Sequence, residues 1–136
     1  MDNVLATSLY MAFKKIRMHF TALAEQMGLD TAPLSALIKL WQYDGLTITE
    51  LGEKLFLKAS TITSLVDRME RDGLVRRERN HEDRRVVRIY LTEKARELQG
   101  KFPNFEQYIA EKTKGKLSKE ETELLITLLN KMESAL

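Results

Sequence analysis

The chain has 136 residues, 31% of them charged, with a formal net charge of +2 and no cysteine. That length suits one domain around one core, and the lack of cysteine excludes disulfides and thiol redox switching. No run approaches the roughly 18 apolar residues needed to cross a bilayer, and "MDNVLATSLYMAFKK" lacks the basic, apolar and cleavage regions of a secretion signal, so a soluble cytoplasmic protein is expected.

From Val4 to Met27, residues Leu5, Leu9, Phe13, Ile16, Phe20, Leu23 and Met27 recur every three or four positions, the period of an amphipathic helix, and Gly28 closes it. Tyr10, Met11, Ala12, Met18 and Ala24 lie off that stripe, so this helix is expected to need two partners. Asp30 is placed to cap a second helix, with Pro33 in its first turn, that runs through Leu37, Leu40 and Trp41 to stop near Gly45. A short third helix follows at "TITE", where Thr47 and Glu50 have capping-box spacing, and Gly52 allows close approach of a neighbour.

"ASTITSLVDRMERDG" gives the clearest helical pattern, with Ile62, Leu65, Val66 and Met69 at i, i+3, i+4 and i+7 and Gly73 closing it. The opposite side carries Ser60, Ser64, Asp67 and Arg71, flanked by Thr61, Thr63 and Arg68. A β-hairpin comes next, with strands near Leu74 to Arg79 and Arg85 to Leu91 and "NHEDR" as its tip. After Thr92 a helix carries Ala95, Leu98, Phe105 and Ile109, but Gly100 and Pro103 predict a bend or break in it. A last helix opens at "SKEE", another capping-box spacing, and runs through Leu124, Leu125, Leu128, Leu129 and Met132. The expected fold is mainly α with a small β-hairpin wing.

Charge is unevenly divided along this order. Residues 1–57 carry five Lys/Arg against six Asp/Glu, residues 89–136 carry eight against eight, and residues 58–88 carry nine against six. The whole positive excess sits on one helix and the hairpin after it, which suggests a polyanion docked at one place. Two helices joined by "LFLKAS", the second apolar on one side and small and polar on the other, fit a helix-turn-helix, and the hairpin makes it a winged helix. In that arrangement the second helix can enter a major groove, where its Ser, Thr and Arg side chains, Ser60, Thr61 and Ser64 among them, can reach base edges and phosphates, and Arg84 at the hairpin tip can reach the adjacent minor groove, where A·T-rich sequence focuses negative potential. Arg76, Arg77, Arg79 and Arg88 supply phosphate contacts where they face outward. Asp83 orients a neighbouring arginine, Arg85 or Arg77.

The segment "LTITELGEKLFLKASTITSLVDRMERDGLVRRERNHEDRRVVRIYLTEKAREL", residues 46–98, resembles the winged-helix core of MarR-type transcriptional regulators. "STITSLVDRMERDGLVRR" followed by "DRRVVRIYLTEKA" is similar to the family's recognition helix and wing, and "KLSKEETELLITLLNKM" to its C-terminal helix. The resemblance implies a single MarR-like domain over residues 1–136, with residues 29–98 as the DNA-binding winged helix-turn-helix and residues 1–28 and 99–136 as interlocking dimerisation helices. It further implies a homodimer on a near-palindromic site in double-stranded DNA, acting as a repressor, with Ser60, Thr61, Thr63, Ser64 and Arg68 facing the major groove, Arg84 the minor groove, and Asp83 and Arg85 shaping the wing. Many members of the family release DNA on binding a small aromatic or anionic effector, whose binding residues the sequence does not identify. Pro33 and Leu34 stand where many members carry a polar residue, and Ala95 where glycine is frequent; neither lies on the DNA face.

An enzyme is not expected, nor a metal or cofactor. Only His19 and His81 are available, far apart in sequence, with no cysteine and no glycine-rich phosphate loop. The rival reading is a winged-helix module that binds protein alone, against which stands the confinement of positive charge to the helix and wing.

Overall fold

The computed structural model describes residues 3–136, which divide into one unit ending at Phe102 and a second spanning Pro103–Leu136. In the first unit the order is α1 (Leu5–Gln26), α2 (Thr31–Gln42), β1 (Leu46–Thr47), α3 (Ile48–Lys54), α4 (Ala59–Arg71), β2 (Val75–Arg79), β3 (Val87–Leu91) and α5 (Glu93–Gln99). The second unit holds α6 (Phe105–Thr113) and α7 (Lys119–Ser134).

Helix ends are fixed locally. Thr47 and Ser118 complete capping boxes with Glu50 and Glu121, as their spacing predicts, and Thr92 and Asn104 cap α5 and α6. Asp30 stands at the N-cap of α2, but its carboxylate makes no capping bond and lies 3.9 Å from Arg68 instead. Helices α1 and α4 end in paired backbone bonds of the Schellman type, Leu29 N–H to Ala24 O with Gly28 N–H to Glu25 O, and Leu74 N–H to Met69 O with Gly73 N–H to Glu70 O. The left-handed residue such a cap requires is glycine in both, with φ of +72° and +75°. Helix α3 ends the same way, through Leu57 N–H to Gly52 O and Phe56 N–H to Glu53 O, but there the left-handed residue is Phe56, with φ of +56°. A side chain with a Cβ pays of order 1–2 kcal/mol for that conformation.

The break expected around Gly100 and Pro103 is present: α5 stops at Gln99 and α6 begins at Phe105. The hairpin strands are shorter than expected, and they have a third companion that the sequence reading lacked. Strand β1 pairs antiparallel with β3, Leu46 opposite Ile89 and Thr47 opposite Arg88, so the sheet order is β1-β3-β2. Gly45 enters this sheet at φ +82°, and a Cβ there would stand 2.8 Å from Tyr90 Cε1.

The core of the first unit lies between the helix-turn-helix and the inner face of the sheet. Leu37 and Leu40 of α2, Leu51 of α3, Ile62, Leu65, Val66 and Met69 of α4, Val75, Ile89 and Leu91 of the strands and Ala95 of α5 form one buried cluster. The four α4 residues are those its period selects. Each fully buried large side chain contributes roughly 1.5–3 kcal/mol. Gly52 brings α3 against α4, since a Cβ there would meet Ile62 Cγ2 at 3.2 Å and Leu57 O at 3.3 Å. Trp41 donates its indole N–H to Ala95 O at 3.0 Å, and its ring packs 5.8 Å from that of Phe102, which meets Phe20 edge-on at 6.4 Å.

On α1 the surplus residues Tyr10, Met11 and Met18 are exposed, and so are Phe13 and Ile16 of the predicted stripe, whereas Leu23 and Ala24 near its end are buried. In the second unit no residue of α6 or α7 is buried, and Leu124, Leu125, Ile126, Leu128 and Leu129 are exposed. Among the described residues no helix is long and apolar enough to cross a membrane.

Candidate nucleic-acid interface

Helix α4 buries Ile62, Leu65, Val66 and Met69, and this fixes what it presents outward. Ser60, Thr61, Thr63 and Ser64 are all exposed, and Arg68 is half-buried beside Asp30. Lys58 occupies the N-cap position and caps nothing with its side chain. The result is a short face of hydroxyls with a cation at each end, able to donate and accept hydrogen bonds with little steric bulk.

The wing is joined to this helix by Arg77. Its Nη1 donates to Glu70 Oε1 at 2.8 Å, its Nη2 to Asp67 Oδ1, and its backbone N–H to Glu70 Oε2 at 3.1 Å. With its side chain only 24% exposed, Arg77 fixes β2 to α4.

The tip is built by short polar side chains. Asn80 Oδ1 accepts from the backbone N–H of Glu82 at 2.8 Å and of Asp83 at 3.2 Å, while Asn80 N–H donates to Val86 O at 3.0 Å. Asp83 then holds Arg85: Oδ1 accepts from the Arg85 backbone N–H and from Nε, both at 3.0 Å, and Oδ2 from Nη2 at 3.2 Å. The Arg85 guanidinium, with help from its backbone N–H, keeps the Asp83 carboxyl below the ordinary carboxylate value. Of the two arginines that the sequence left open as partners of Asp83, the bond is made by Arg85.

The remaining hairpin arginines are also engaged, with one exception. Arg76 pairs with Glu78 at 2.8 Å and lies 4.8 Å from the centre of the Tyr90 ring; Arg79 donates to Arg84 O at 2.9 Å; Arg88 reaches across to Gly45 O at 2.9 Å. Arg84, exposed at the tip, has no side-chain partner among the described residues. The structure therefore brings Ser60, Thr61, Thr63 and Ser64 onto one surface, leaves Arg84 free, and engages Arg76, Arg77, Arg79, Arg85 and Arg88 in contacts within the protein.

Sequence reasoning did not single out Asp67 and Glu70 as the partners of Arg77, although their i, i+3 spacing on the outer edge of α4 was a usable signal. It also missed Asp44, whose Oδ1 accepts from Gly45 N–H at 3.1 Å and Leu91 N–H at 2.9 Å while Oδ2 takes Arg96 Nη2 at 3.2 Å, tying the α2 end to β3 and α5. Among the described residues no group of three or more His, Asp or Glu side chains is placed to hold a metal ion.

Comparison with known proteins gives these features a context. Residues 32–87 match the MarR family model. The chain is 34% identical over 93 residues to the organic hydroperoxide resistance transcriptional regulator of Bacillus subtilis, covering 68% of this chain and 63% of that protein. It spans only about half to two thirds of the length of several of the curated relatives it matches. Among solved structures, a MarR family protein from Bacillus stearothermophilus is 30% identical with a TM-score of 0.77, covering 96% of this chain and 91% of its own. The MepR chain of the S. aureus MepR–DNA complex has the same fold, with a TM-score of 0.86 at 24% identity over 98% of this chain and 99% of its own.

Proposed function

The chain belongs to the MarR family, and from that membership we propose that it is a transcriptional regulator that binds double-stranded DNA in a sequence-specific way, as a homodimeric repressor in the cytoplasm. The observation that carries this reading is the pairing of a small hydroxyl face on α4 with a wing whose single unengaged guanidinium, Arg84, stands at its tip. Ser60, Thr61, Thr63 and Ser64 would read base edges and phosphates in the major groove, with Arg68 beside them. Arg84 would enter the minor groove next to it. Arg79 and Arg85 would approach phosphates once the tip is seated, while Arg76, Arg77 and Arg88 serve the wing's rigidity and contribute phosphate contacts only through whatever face their internal partners leave open. Asp83 would set the pose of Arg85.

In this reading residues 29–98 form the DNA-binding region, and residues 1–28 and 99–136 dimerise. Support for the second assignment is the exposed apolar surface of α1 and of α7, far more than an isolated chain in water favours. A dimer places two α4 helices on one duplex, which matches a near-palindromic site. The structural relative MepR is solved on DNA, which is consistent with this use of the fold. A small aromatic or anionic effector that releases the DNA would follow from family membership.

The test is selection of duplexes from a random library by the purified protein, then fluorescence anisotropy on the selected and scrambled sequences over a range of salt. A preference of about a thousandfold and a log–log salt slope of roughly four to eight are expected. Equal, weak binding to both duplexes would overturn the reading in favour of a protein-binding winged helix. Sedimentation at micromolar concentration should give twice the chain mass, and a monomer would refute the dimer.

A further inference from the structure

Phe56 is the most exposed aromatic among the described residues, at 96%, and it occupies the one described left-handed position that is not glycine. Nothing in the fold of the chain repays that: the ring is in water, and the backbone would close the same cap more easily with glycine or asparagine. A strained backbone with an exposed ring is informative about an unseen contact, because the free chain gains nothing from either.

Its surroundings indicate what the contact is. Phe56 lies in the turn that delivers α4, with exposed Lys54 and Lys58 two residues to either side and exposed Ser60 four residues on. No carboxylate occurs between Glu53 and Asp67. Lys54 Nζ also stands 5.2 Å from the centre of the exposed Tyr43 ring, which extends the same cationic and aromatic surface. A protein interface centres on a contiguous apolar patch from which lysine is depleted, whereas a lone ring set between two lysines suits the sugar–phosphate backbone, which offers apolar deoxyribose faces between anions.

We propose that Phe56 is a DNA-contacting side chain, its ring laid on the deoxyribose of the strand at the edge of the major groove that α4 enters, with Lys54 and Lys58 on the adjoining phosphates. The proposal rests on the DNA-binding reading above. The left-handed cap is then a binding device: it holds the ring out of the core at a cost to the fold.

The experiment compares Phe56→Gly, Phe56→Asn and Phe56→Tyr with the parent and with Arg84→Ala, on a duplex selected from a random library. Phe56→Gly and Phe56→Asn should melt roughly 1–4 °C higher, because the cap is relaxed, yet bind more weakly by roughly five- to twentyfold for each protomer's ring, from the loss of its buried face. Their salt slope should be unchanged, since no charge is lost, whereas Lys58→Ala should lower it by about one per protomer. Phe56→Tyr should bind as the parent does. If Arg84→Ala weakens binding while Phe56→Gly does not, this proposal is overturned and the DNA-binding reading stands. If the parent selects no duplex at all, both are overturned. A lower melting temperature for Phe56→Gly and Phe56→Asn would also overturn it, by showing that the ring serves the fold.

Discussion

Removing Arg84 separates binding from folding more cleanly than any other change in the wing. Its guanidinium has no partner among the described residues, so Arg84→Ala should alter stability by less than about 0.5 kcal/mol. The tip itself survives the change, because Asn80, Asp83 and Val86 close it through bonds that use only the Arg84 backbone, whose carbonyl takes Arg79. In a narrow minor groove one guanidinium is worth about 1–2 kcal/mol, and two wings act on one duplex, so the affinity should fall roughly 30-fold to several hundredfold. On a duplex with the same central site but G·C-rich flanks the groove is wider and its potential weaker, and the loss should be several times smaller. Losing one cation per wing should also reduce the log–log salt slope by about two. Anisotropy titrations of parent and variant on both duplexes, at matched salt, measure all three quantities. An equal loss on the two flanks would remove Arg84 from the minor groove, and an unchanged slope would remove it from the DNA altogether.

Arg77→Ala takes away a half-buried group that satisfies two carboxylates and should cost about 1–2 kcal/mol, seen as a lower melting temperature and as faster amide exchange in β2. Gly45→Ala should cost at least as much, because the new Cβ meets Tyr90 at 2.8 Å and the backbone is left-handed there; a melting temperature within a degree of the parent would contradict it. Asp83 titrates below the ordinary carboxylate value in the folded wing. Its contribution is therefore fully present above the unfolded carboxylate value and is lost as pH falls through the lower folded one. A carboxyl-carbon NMR titration should give a midpoint under 3.8 that returns towards 3.8 in Arg85→Ala, and a normal midpoint in the parent would sink the assignment.

What could be read from the sequence was local. The period of α4 selected its buried residues, and the capping boxes at Thr47 and Ser118 formed as spaced, because those signals are confined to one or two helical turns. The break before α6 was legible for the same reason, Gly100 and Pro103 lying three residues apart. Strand β1 was not, since two residues carry no alternation and exist as a strand only through pairing with Ile89 and Arg88, some forty residues on. Nor was the fate of each arginine. The partners of Arg77 and Arg88 lie seven, ten and 43 residues away, and Asp30 turns from its own helix end towards Arg68, which only the packed helix pair brings near. A left-handed Phe56 was hidden too, because its cap chemistry normally announces itself with glycine.

The sequence packs six arginines between Arg76 and Arg88 of a chain that is close to neutral, and the geometry gives a reason other than raw attraction. Arg76, Arg77 and Arg85 are ion-paired in place, and Arg88 is held on a backbone carbonyl. Paired charges cast a dipole field that fades faster with distance than that of a free charge, and salt screens what remains beyond about 10 Å. Pairing of this kind lowers the wing's pull on distant polyanion without removing it, since residues 58–88 keep nine Lys/Arg against six Asp/Glu. On the proposed reading its paired arginines would act mainly at close range, where their fixed positions match or fail to match a groove. Free lysines in their place would raise affinity for every DNA alike, while tethered arginines would raise the ratio of specific to non-specific binding, the quantity that decides occupancy when competing sites are in vast excess. On the proposed reading the carboxylates of Asp67, Glu70, Glu78 and Asp83 would therefore belong to the DNA-binding surface: each pairs with an arginine, lowers its field and limits the poses it samples.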